Sequence, residues 1–169
     1  MKTKEAVLCE CKNQIAYITI NRPKALNALN SIVRSQLWKV LEDVKGNHKV
    51  RVIIITGCGD KAFSAGADLD DLVKVIKIQN SARDDAIAGQ RLLNIIEQID
   101  KPTIAATNGY ALGAGCELIL ACAFRAAIIC AKLGLPEINM GMLPGHGGIP
   151  RLVRLVGKDR AAEMVLCEW

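Results

Sequence analysis

Two glutamates in glycine-rich surroundings are the residues of this chain best suited to chemistry. Glu117 closes the run Gly113-Ala114-Gly115-Cys116-Glu117. Glu137 follows Leu135-Pro136 and precedes Gly141-Met142-Leu143-Pro144-Gly145-His146-Gly147-Gly148. A third segment, Ala62-Phe63-Ser64-Ala65-Gly66-Ala67-Asp68, lies upstream. Two carboxylates can take and return protons, and peptide N–H groups in such loops can cradle an oxyanion. The set suits acid/base chemistry beside an activated carbonyl. Gly113-Ala114-Gly115 fits the start of a helix, where the first N–H groups have no intrahelical partner and the dipole favours an anion. Glu117 then lies about one turn along the face that carries Ala114. Its neighbours Cys116, Leu118, Ile119 and Leu120 are apolar, and a carboxylate buried among them without a task is costly. Glu137, next to Pro136 in a turn, reads as a stiffly held carboxylate, with helix capping or a surface ion pair as the bland alternative. Two close carboxylates titrate as a pair, one of them raised. Which is acid and which is base stays open at this point.

The elements that must position these residues alternate between strands and helices. Residues 6–11 and 15–20 read as two strands joined by Lys12-Asn13-Gln14, and Asn21-Arg22-Pro23-Lys24 ends the second. A helix follows over 31–46, with Ser31 as its cap and Val33, Leu37, Val40, Leu41 and Val44 at helical spacing. The β-branched run 50–56 predicts a strand buried on both faces. Residues 65–67 read as a loop, and Asp68 as the cap of a short helix through Leu72. A long helix spans 81–98, and 103–107 is a short strand. The turn 108–113 leads into a helix carrying residues 117–122, and 124–129 reads as another strand. Helices at 148–156 and 159–166 close the chain. This order predicts an α/β architecture in one domain over residues 1–169.

Composition narrows the function classes. The chain has 169 residues, 51% hydrophobic and 23% charged, enough for one real core. No apolar run reaches the length of a membrane span, and residues 1–5 do not read as a leader, so the expected location is cytoplasmic. The seven cysteines include no C-x-x-C pair, which argues against a zinc site and reads as small core residues in a reducing compartment. A net charge of +5 fits an anionic small ligand. Aromatic residues are only 4%, which argues against base stacking and against nucleic acid as the main partner. Arg151, Arg154, Lys158 and Arg160 read as a solvated helix face or a subunit contact. His146 reads as a surface turn residue, with a reshaped pocket as the alternative, and His48 as structural at a helix end.

Four segments in order resemble the enoyl-CoA hydratase/isomerase (crotonase) superfamily: residues 21–29, 62–68, 101–117 and 135–148. The resemblance implies a spiral of ββα turns, and trimers or hexamers of the full-length protein. It also implies binding of acyl-CoA thioesters, with no cofactor or metal beyond the coenzyme A of the substrate. By motif position the oxyanion donors are the N–H groups of Ala67 and Ala114, and Glu117 and Glu137 are the catalytic pair. Gly145 would help hold water. Lys24, Ala25, Leu26, Ala65, Asp68 and Leu69 would border the coenzyme, and Leu72 the acyl chain. Retention of both glutamates points to reversible hydration of a trans-2-enoyl-CoA, a lyase reaction. The alternatives are isomerisation or another acyl-CoA reaction of the superfamily, or a non-catalytic CoA-binding protein.

Several departures accompany the resemblance. Ala114 stands where glycine is commonest, Ala123 where aspartate is usual, His146 where a small residue is usual, and Ile149-Pro150 where a polar pair is usual. Family members normally continue well beyond this point, so the chain reads as a C-terminally truncated spiral without the trimerisation helices. Exposed apolar surface is then expected within 152–169.

Overall fold

The computed structural model describes residues 5–77 and 81–167. The readings made on residues 1–4 and on the close of the chain at 168–169 lie outside it. The larger sheet runs β1-β2-β3-β5-β7, with β1 (Val7–Lys12), β2 (Ile15–Ile20), β3 (Val52–Gly57), β5 (Thr103–Thr107) and β7 (Phe124–Ala127). Only β1 and β2 pair antiparallel; the remaining pairs are parallel. The helices are α1 (Ser31–Gly46), α2 (Leu69–Ile76), α3 (Ser81–Gln98), α4 (Ala114–Ala121), α5 (Gly148–Val156) and α6 (Lys158–Leu166). Short 3₁₀ turns occupy Pro23–Ala25 and Pro136–Met140.

The core lies between the larger sheet and its helices. Ile18, Ile20, Ile53 and Ile55 from the strands pack with Val33, Leu37 and Leu41 of α1 and with Ile96 of α3. Full burial of each such side chain contributes about 1.5–3 kcal/mol. The β3 strand differs from its expected two-sided burial. Ile53 and Ile55 are buried, but Val52, Ile54 and Thr56 on the other face are only half-buried. The cap of α1 is Asn30, whose side chain accepts from the Val33 N–H at 2.9 Å. Ser31 is instead the first helical residue, and its N–H and hydroxyl bind Asp71 of α2. The strand expected over 124–129 stops at Ala127, and all four of its residues are exposed at the sheet edge.

A second sheet went unseen in the sequence. β4 (Ala62–Ser64), β6 (Tyr110–Leu112) and β8 (Leu133–Gly134) pair in parallel in the order β4-β6-β8. Strands of two and three residues fall below the length at which alternation can be read. A register shift between Ala62 and Ser64 marks a bulge in β4. Among the described residues no helix is long and apolar enough to cross a membrane. Only Cys116 and Cys122 are buried; Cys9, Cys11, Cys130 and Cys167 are exposed and Cys58 is intermediate, so most cysteines are not core residues.

Candidate active site

Each strand of the small sheet feeds one part of a single cavity of about 850 Å³. After β4 the chain runs through Ala65, Gly66 and Ala67. After β6 it turns at Gly113 into α4, which carries Ala114 and Glu117. After β8 it passes Leu135 and Pro136 to Glu137. Hydrogen bonds from Ala111 N–H to Lys132 O (2.8 Å) and from Gly113 N–H to Gly134 O (2.9 Å) tie β6 to β8 up to the site. Gly113 turns with φ +50, where a Cβ would be strained and would lie 3.0 Å from Glu137 Oε1. The two loops therefore meet at a position that tolerates no side chain.

Ala67 and Ala114 both line this cavity. Leu29 N–H donates to Gly66 O at 2.8 Å and bridges in parallel to Ala67. Ala114 is the first residue of α4, whose first internal bond runs from Glu117 N–H to Gly113 O at 2.9 Å. Among the described residues, neither N–H has an acceptor. Two unpaired donors at one cavity can hold an oxyanion.

The two glutamates have unlike surroundings. Glu117 is 1% exposed, and its Oε1 accepts from the N–H groups of His146 (2.9 Å) and Gly148 (2.8 Å). Gly148 is required there, because a Cβ would fall 2.6 Å from Glu117 Cγ. Glu137 is also buried, but its Oε2 has no partner. Burial raises its carboxyl above the ordinary value, and the nearby Glu117 charge adds to that; its own N–H and His146 oppose it. The pair is thus asymmetric: Glu117 accepts two peptide hydrogen bonds, while Glu137 is raised and leaves one oxygen unpartnered.

The residues expected to border the coenzyme, the acyl chain and the water line the same cavity: Lys24, Ala25, Leu26, Ala65, Asp68, Leu69, Leu72 and Gly145. Lys24–Leu26 are held there by Arg22, whose Nη1 donates to Ala28 O (2.7 Å) and to Asp68 Oδ2 (2.8 Å). Asp68 also caps α2, its Oδ1 accepting from Asp70 N–H at 3.2 Å. Buried Asn27 joins the same loop to Cys58 O and Ala62 O. Met140, Met142 and Leu143 add an apolar wall. Among the described residues, no group of three or more His, Cys, Asp or Glu is gathered to hold a metal.

Two expectations fail at this site. His146 is not a surface turn residue: its side chain is 12% exposed and lies between Asp85 of α3 and Glu117. Arg151 is no part of a solvated face. It is 5% exposed, bound to Glu97 Oε2 (2.8 Å) and Asn94 Oδ1 (2.7 Å), and donates to the carbonyls of His146 and Gly147 at 3.1 Å. Arg154, by contrast, is solvated as expected, although it pairs with the far oxygen of Glu97. Sequence reasoning also missed Arg22, Arg34, Asp85 and Arg151. Their side-chain partners lie 46 to 61 residues away, beyond any local spacing. The one available signal was an arginine, Arg151, directly before the apolar pair Leu152-Val153 of α5.

The sequence matches the enoyl-CoA hydratase/isomerase family over residues 10–168. It is 41% identical over 159 residues to the short-chain-enoyl-CoA hydratase of Clostridium acetobutylicum, covering 94% of this chain and 60% of that protein. It is 42% identical over 161 residues to the crotonyl-CoA hydratase of Syntrophomonas wolfei, covering 95% of this chain and 61% of that protein. The crystal structure of an enoyl-CoA hydratase from Bacillus anthracis superposes with a TM-score of 0.90 at 37% identity, covering 95% of this chain and 62% of that one. The chain thus spans about three-fifths of the length of these relatives.

Proposed function

From the premise that the chain belongs to the enoyl-CoA hydratase/isomerase family, we propose that it hydrates short-chain trans-2-enoyl-CoA thioesters reversibly. The observation that carries this reading is the meeting of two unlike carboxylates and two unpaired peptide donors at one cavity. In the proposed reaction Glu117 takes a proton from water, and the resulting hydroxide adds to C3 of the enoyl group. Negative charge moves onto the thioester oxygen, where the Ala67 and Ala114 N–H groups receive it. Losing one such donor costs roughly 3 kcal/mol of barrier. Glu137 then gives its proton to C2; Glu117 releases the proton it took and Glu137 regains one by exchange with solvent before the next turnover, and dehydration runs the same steps in reverse. The raised carboxyl of Glu137 supports its role as acid. The peptide donors on Glu117 support its role as base. Gly145, beside His146 in the same cavity, is proposed to help hold the water, and the loop at Lys24–Leu26 with residues 65–69 to border the coenzyme. Two carboxylates favour hydration over isomerisation, which needs only one proton shuttle.

Crotonyl-CoA offered to the full chain is expected to be hydrated, followed as loss of the conjugated thioester absorbance. Glu117→Gln should lower kcat by about 10²–10⁴-fold and leave thioester binding nearly intact. A soluble, folded wild type that hydrates no short-chain enoyl-CoA would sink the reading.

A further inference from the structure

The cavity carries one more group of titratable side chains. His146 Nε2 lies 3.8 Å from Asp85 Oδ2, and His146 Nδ1 lies 3.8 Å from Glu117 Oε2. Asp85 is itself anchored, accepting from Arg34 Nη2 of α1 at 2.5 Å. The ring packs on the backbone of α3 at Gly89, where a Cβ would fall 2.2 Å from His146 Cδ2. The peptide N–H of the same histidine binds the other oxygen of Glu117. One residue therefore brackets the carboxylate, with its backbone at Oε1 and its ring at Oε2. Arg151 fixes that residue in turn through its carbonyl.

We infer that His146, held by Asp85, is a positioning residue for Glu117, fixing the carboxylate so that its free edge faces the cavity. The consequence for turnover rests on the proposed role of Glu117; the contact itself does not. A core histidine would need one satisfying partner, whereas this ring sits between carboxylates from two helices. The charged groups around it are Asp85 from α3, Glu117 from α4, Glu137 from the 3₁₀ turn and Arg151 from α5, with Arg34 of α1 behind Asp85. Arg34 is paired with Asp85 and Arg151 with Glu97, so the His146 ring is the side chain set against Glu117 Oε2.

The chain has two histidines, His48 and His146, and His48 is exposed at the end of α1. Carbon–proton spectra of the full chain therefore give a subject and an internal control. The ring signals of His146 are expected to move in Asp85→Asn and in Glu117→Gln, with those of His48 unmoved. In kinetics on crotonyl-CoA, His146→Ala should lower kcat on the order of tenfold with KM nearly unchanged, and His146→Gln should recover part of the loss. His146 opposes the raised carboxyl of Glu137, so its removal should also carry the alkaline limb of kcat/KM to higher pH. Ring signals indifferent to both carboxylate substitutions would overturn the inference, as would unchanged kcat and pH limb in His146→Ala. Responsive ring signals in a chain that hydrates nothing would uphold the contact and remove the proposed function instead.

Discussion

At the scale of residues, the two carboxyls that matter most respond to pH in opposite senses. Glu137 is raised by burial, so its folded value lies above the unfolded one. Its contribution is fully present below the ordinary carboxylate range and is lost as pH climbs through the folded value. Asp85 is held well below its ordinary value, first by His146 and then by Arg34 against an opposing burial cost. Its contribution is present above the ordinary range and is lost as pH falls through the folded value. Melting temperature measured against pH should therefore fall less steeply on the alkaline side in Glu137→Gln, and less steeply on the acid side in Asp85→Asn. Identical slopes in wild type and variants would refute both assignments. Glu117 and Glu137 were legible in the sequence because a carboxylate among apolar and glycine residues has few ordinary uses. His146 was not, because its environment is built by Gly89 and Asp85, 57 and 61 positions earlier in the chain.

At the scale of elements, the long helices and the larger sheet were readable, because their apolar spacing repeats over enough residues to fix a period. The small sheet was not, although it delivers all three parts of the site. Its placement depends on parallel pairing between segments more than 20 residues apart, which leaves no local pattern. The clamp between α3 and α5 was hidden for the same reason. Arg151 spans from Glu97 and Asn94 to the two carbonyls of the loop that presents peptide donors to Glu117. Arg151→Ala should destabilise the chain by about 1–3 kcal/mol, since it removes the charge-assisted hydrogen bonds of a buried guanidinium whose partners Asn94 and Glu97 are themselves exposed. Urea unfolding would check the magnitude. A loss below 0.5 kcal/mol, on the order of a simple surface pair, would show that the clamp is not structural.

At the scale of the whole molecule, the chain has the crotonase-like α/β fold, with its core on one side of the larger sheet and its cavity at the ends of the smaller one. Apolar side chains are left outside that core, as expected for 152–169: Val153, Leu155, Val156 and Leu166 are exposed, while Leu152 is buried. A second apolar strip follows the edge at β7, where Phe124 and Ile128 are exposed and Ile129 is fully so. An uncovered edge strand flanked by such residues is a template for pairing with a second copy. Ile129→Lys should therefore reduce self-association in sedimentation velocity without altering hydration, because Ile129 does not line the cavity. Unchanged sedimentation would remove this edge from the contact surface. The proposed oxyanion donors carry a different consequence. They belong to the peptide chain at Ala67 and Ala114, and both positions are alanine already. Alanine scanning would pass over these proposed donors without registering them. Deleting either donor takes proline or an amide-to-ester exchange, so drift in side chains can retune what this cavity accepts while its polarising centre stays in place.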